Sequence, residues 1–233
     1  NLIALGIISL TLIILMSLIL QETLINKAKS VSFKNVFLVY KGLVKNIYFN
    51  FFTITTAMQT SMFFAMNGFM PYEFERKGVS ISEFGIWFSL TSVGYIFGNI
   101  INSKLTPMVG LEKMCFVGTV CSFCTVFIFF LNNNLGENGS LTLSLICVLF
   151  GCSNGFAVAN SMTGAINSSK LNKGAASGLM GAFQVGSGGL AGFLIIFFGG
   201  AENFNICLFA LFIMSGISII SSYLVLNKKN IIA

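Results

Sequence analysis

Two short patterns carry whatever chemistry this chain offers. Gly186-Ser187-Gly188-Gly189-Leu190-Ala191 has the G-x-G-x-x-A spacing of a turn that cradles dinucleotide phosphates, and Cys121-x-x-Cys124 has the spacing of a metal or redox pair. The surroundings of both argue against those uses. A dinucleotide turn needs a strand before it, a helix after it and an acidic residue about 20 positions on. Here an apolar helical pattern runs straight through the glycines, and the acid near the right distance is Glu202, beyond the end of that run. Cys115, Cys121, Cys124, Cys147, Cys152 and Cys207 all lie inside apolar runs, where cysteine packs as a small hydrophobe. The 233 residues contain no His, and every acidic residue is a Glu. A His-based triad, His metal site or His general base is therefore excluded. We expect no metal, no cofactor and no enzyme.

The elements that hold these residues are set by composition. Hydrophobic residues make up 55% of the chain, 26 residues are Phe, and charged residues are 9% against roughly a quarter in soluble domains. That much apolar surface needs a lipid bilayer as partner. Seven apolar segments, each about 18–25 residues, are long enough to cross one: 2–20, 47–70, 84–103, 114–131, 141–162, 175–199 and 204–226. They predict an all-α, polytopic bundle of seven transmembrane helices, without the period-2 pattern of a membrane barrel.

Loop charge orients them. Lys27, Lys29, Lys34, Lys41, Lys45, Lys104, Lys113, Lys170, Lys173, Lys228 and Lys229 fall on one side, and Arg76 and Lys77 on the other. The positive-inside rule puts the first set and the C-terminus in the cytoplasm. The net charge of +6 is this bias and not a nucleic-acid footprint. In segment 22–46, Phe33, Phe37, Tyr40 and Val44 share one helical face, which fits either a helix lying on the membrane surface or a solvated linker.

Polarity divides the spans. The first, fourth and seventh hold little beyond Ser, Thr and Cys, whereas the second, third, fifth and sixth carry amides and a Tyr. An amide in hydrocarbon is costly unless it faces protein or water. So Thr56, Gln59, Thr60 and Asn67, then Tyr95, then Asn154 and Asn160, then Gln184 are expected to line a shared polar cavity, with spans one, four and seven facing lipid. In the sixth span, Gly178, Gly181, Gly186, Gly188, Gly189 and Gly192 form small-residue steps suited to close packing, with Gly186–Gly189 a weak point for bending.

Two inward helices followed by one outward, repeated, resembles a six-helix half of a major facilitator superfamily transporter. Gly98-x-x-x-Asn102-x-Lys104 with Gly110 and Lys113 resembles that superfamily's cytoplasmic gate-loop signature, with Asn102 in the usual place of an Asp. Further motifs are similar to those of Bcr/CflA-type drug:proton antiporters: Gln21-Glu22-Thr23-Leu24, Gly42-Leu43-Val44-Lys45-Asn46 with Phe49, Met70-Pro71-Tyr72, Ser82-x-Phe84-Gly85, and Gly174-Ala175-Ala176-Ser177-Gly178-Leu179-Met180-Gly181 with Gln184. The resemblance implies that 1–21 is the last helix of an N-terminal half, 22–46 the linker and 47–233 the C-terminal half, with inverted three-helix repeats. It further implies alternating-access export of small organic compounds against protons across a plasma (bacterial inner) membrane. The proton-coupling group is expected in the absent N-terminal half, without which these residues are not expected to transport. A carrier for a metabolite or sugar is the alternative within the superfamily. A retinal protein is excluded because 204–226 has no Lys for a Schiff base; a seven-helix receptor fits the span count but not the two-in, one-out repeat.

Overall fold

The computed structural model describes residues 2–19, 33–136, 139–169 and 172–232. The Gln21–Leu24 motif and Lys27, Lys29 and Lys170 lie outside them. The described residues form eight helices and no strand. They fall into two units, 1–36 and 37–233. The first holds α1 (Leu2–Ile19), an unbroken apolar helix of 18 residues, and the start of α2 (Phe33–Lys45).

The second unit holds the rest of α2 and then α3 (Ile47–Arg76), α4 (Ile81–Val109), α5 (Leu111–Leu135), α6 (Ser140–Asn167), α7 (Lys173–Phe197) and α8 (Phe204–Ile232). Local chemistry sets several of these ends. Asn46 caps α3, its Oδ1 accepting from the backbone N–H of Tyr48 (3.0 Å) and Phe49 (3.3 Å), while its Nδ2 donates to the Ser168 carbonyl (3.0 Å). Ser80 and Glu83 form a reciprocal capping box at α4. A single residue, Gly110, joins α4 to α5 at φ +98°, a conformation that an L side chain resists.

Seven crossing helices are expected, and length with apolar composition supports six of them. Six helices among the described residues are long and apolar enough to span a bilayer: α1, α4, α5, α6, α7 and α8. The 30-residue α3 is too rich in Thr, Asn and Gln to join them, although it packs at the centre of the bundle. Helices also outrun their apolar stretches. α3 continues through Pro71 to Arg76 and so includes Glu73, which is buried and meets Arg76 Nη1 at 2.8 Å and Lys77 Nζ at 3.5 Å. Arg76 also bonds the Ala201 carbonyl, tying α3 to the turn before α8.

The packing is a two-fold pattern. α3 packs mainly on α7 and α8, and α6 mainly on α4 and α5; α3 also meets α6, and α5 meets α8. Exchanging α3 with α6, α4 with α7 and α5 with α8 leaves that scheme unchanged. Because α3 and α6 run in opposite directions, α3–α5 and α6–α8 are inverted repeats.

Four helices, α3, α5, α6 and α8, are layered alike. Near the Arg76 end lies an apolar cluster that includes Phe69, Phe74, Phe129, Phe150 and Leu211. Near the Asn46 end lies a second, with Phe52, Cys115, Ala165 and Val225. Between them sit the buried polar residues. Cys115, Cys147 and Cys207 are buried, while Cys124 is on the bundle surface. N-ethylmaleimide applied to the folded, detergent-solubilised protein is therefore expected to modify Cys124 and spare those three, which mass spectrometry of the digest will read; denaturant should equalise them.

Candidate functional site

One hollow in the bundle has the character of a binding cavity. It encloses about 250 Å³ and is lined by Thr60, Phe63 and Phe64 of α3, Thr91, Ser92 and Tyr95 of α4, Gly151, Asn154 and Val158 of α6, and Gln184 of α7. The two central helices, α3 and α6, form its floor. α4 and α7 flank it with faces that the bundle leaves open: Tyr95 of α4 is 39% exposed and Phe183 of α7 is 54% exposed. The lining carries no carboxylate, Lys or Arg.

The eight residues expected at a shared cavity separate into two groups. Thr60, Tyr95, Asn154 and Gln184 line the hollow, and Gln184 Nε2 donates to Thr60 Oγ1 at 3.0 Å, linking α7 to α3. The other four do not line it. Gln59 is fully buried on an adjoining face of α3, its Nε2 donating to Ser218 Oγ (2.9 Å) and its Oε1 lying 2.9 Å from Ser122 Oγ. Ser122 Oγ is in turn 3.0 Å from Ser153 Oγ. Thr56 is buried against Ser161 (2.8 Å). Asn160 is buried between helices, its Nδ2 donating to Asn102 Oδ1 (2.7 Å), with Thr106 Oγ1 2.9 Å from the same oxygen. Asn67 is exposed, bonding only its own helix at the Phe63 carbonyl (2.8 Å).

Spans four and seven were expected to face lipid; their helices, α5 and α8, also face inward with their hydroxyls. Thr119 Oγ1 and Ser222 Oγ meet at 2.7 Å, and Ser122 and Ser218 hold Gln59. A Ser or Thr on an otherwise apolar helix does not by itself mark such a seam, because its hydroxyl can bond a carbonyl one turn back, as those of Thr11 and Ser17 in α1 do.

The glycines also divide. In α7, Gly188 and Gly192 lie against Phe64, but a Cβ at Gly178, Gly181, Gly186 or Gly189 would meet nothing. α7 is continuous helix through 186–189, with helix and not strand before those glycines. The closest backbone approach lies elsewhere, where α4 crosses α6. A Cβ on Gly94 or Gly98 would strike the carbonyls of Val148 or Cys152, and one on Gly151 or Gly155 those of Thr91 or Tyr95. Two four-residue glycine steps, Gly94–Gly98 and Gly151–Gly155, thus face one another. Gly98 makes this contact from within α4. Asn102 and Lys104 likewise lie within α4, which runs through Pro107 to Val109, so the expected loop contracts to Gly110.

An inverted-repeat helical bundle with an uncharged hollow on its open face fits the architecture of a secondary transporter. The family model described as Major Facilitator Superfamily matches residues 2–192. The chain belongs to that superfamily and is a multi-pass membrane transport protein. Among proteins of curated function, none matches it.

Proposed function

We propose that α3–α8 form the C-terminal six-helix half of an exporter that moves amphipathic organic compounds outward against protons by alternating access. The hollow carries this reading: aromatic walls at Phe63, Phe64 and Tyr95, a few neutral hydrogen-bonding groups at Thr60, Asn154 and Gln184, and no charge. Such a lining suits an apolar body with one or two polar groups better than a sugar, which needs many partners, or an anion, which needs Arg or Lys. The direction of transport and the proton are supported by the Bcr/CflA-type motifs alone. The lining has no carboxylate, so the coupling group belongs on a facing half, set against the open faces of α4 and α7. The lysine bias supports a cytoplasmic C-terminus in a plasma (bacterial inner) membrane.

Everted vesicles carrying the full-length transporter test the proposal with a panel of amphipathic dyes, antibiotics and sugars. Proton-gradient-dependent accumulation of the amphipathic compounds is expected, abolished by a protonophore. Asn154→Ala and Gln184→Ala should alter individual compounds by roughly tenfold, the scale of one or two lost hydrogen bonds, while Thr56→Ala should not change their ranking. Accumulation of sugars only, or a uniform fall across the panel, would count against it.

A further inference from the structure

We propose that the hollow selects ligands that donate an N–H hydrogen bond, because the bundle consumes the donors of its key amide and leaves the acceptor. The inference rests on the transporter reading above and narrows its substrate class. Asn154 Nδ2 lies 3.1 Å from the backbone carbonyl of Gln59 and 3.4 Å from Gln59 Oε1. A backbone carbonyl only accepts, so the nitrogen end of the Asn154 amide must face Gln59, and both its N–H groups are spent there. Among the described residues no donor reaches Asn154 Oδ1. Gln184 spends one N–H on Thr60 and keeps its second N–H, as well as its Oε1, for a ligand. The hydroxyls of Thr60, Thr91, Ser92 and Tyr95 can each donate as well as accept, so the bias comes from Asn154, whose free atom only accepts.

The bias is held from behind. Gln59 is itself fixed by Ser218 of α8 and, through its Oε1, by Ser122 of α5, so it cannot turn without breaking bonds to two other helices. Gln59 therefore acts as a positioning residue, reaching the ligand only through Asn154. A ligand that offers only acceptors leaves the Asn154 oxygen unmatched. With Phe63, Phe64 and Tyr95 around it, the site fits a molecule with an aromatic or apolar body and an N–H head, such as a protonated amine.

Binding of three near-isosteric probes to the full-length chain in lipid nanodiscs tests this. They are N-methyl-3-phenylpropylamine, its quaternary N,N,N-trimethyl counterpart, and the neutral methyl 3-phenylpropyl ether. The protonated amine is expected to bind at least roughly tenfold more tightly than either. Asn154→Leu should bring the three together while the affinity for the ether stays within about twofold. Quaternary ammonium binding as tight as the amine would overturn the inference in favour of recognition by charge and aromatic faces. An ether equal to the amine, or a preference that survives Asn154→Leu, would overturn it as well. If that variant does not fold, the wild-type ratio decides. No binding of any probe, together with no transport of the amphipathic panel, would bring down the transporter reading itself.

Discussion

Leucine at Gly151 is expected to prevent the six-helix bundle from assembling. A Cβ there would fall onto the Thr91 carbonyl and close to the Tyr95 backbone nitrogen (2.9 Å), and backbone cannot swing aside as a side chain can. The whole α4–α6 seam would have to part, and α4 has few other contacts in the bundle. Overpacking at a side-chain contact costs about 1–3 kcal/mol; here helix separation adds the loss of the interface. The measurement is the yield of monodisperse protein from detergent, expected to fall to near nothing. The matched control is Gly186→Leu in α7, where a Cβ meets open space and the yield should hold. Equal behaviour of the two variants would mean that α4 and α6 do not approach as described.

Gln59→Leu should be the most damaging polar substitution. Leucine fills similar volume but strips partners from Ser218 and Ser122 and frees an N–H of Asn154. Each buried group left unmatched costs about 1–3 kcal/mol, while model hydrogen bonds between membrane helices contribute only about 0.6–2 kcal/mol. We expect a clear fall in the thermal unfolding midpoint, larger than that of Gln184→Leu, whose amide is only half-buried and bonded once through its side chain. A midpoint unchanged in Gln59→Leu would show that water reaches the seam.

The spans were legible because hydrocarbon demands long apolar runs, and α1 and α4–α8 meet that demand. α3 was legible only in part. Its Thr, Gln and Asn residues are spread around the helix, and a central helix has neighbours on all sides. Thr60 looks into the hollow while Gln59, one residue earlier, looks into the bundle. Both are polar for good physical reasons, and only the positions of α5, α7 and α8 separate the two. The glycines of α7 drew attention by number, yet the steps that matter, Gly94–Gly98 and Gly151–Gly155, were spaced in the same readable way. What sequence lacked was knowledge of which helix each glycine meets. In α2 the buried side is Leu43 with half-buried Val39, and the face bearing Phe37, Tyr40 and Val44 is exposed, so the residues sharing a face were legible but not the side that packs.

The exchange symmetry of the packing has a consequence for how the chain is made. Most contacts join one three-helix repeat to the other, and few lie within a repeat. During synthesis α3 and α4 therefore enter the bilayer before the helices that cover them exist. α3, the least apolar of the long helices, completes the hydrogen bonds of Gln59 only when α8 supplies Ser218. The polar seam is complete only with α8 in place, because Gln59 and Thr119 each take a partner from it.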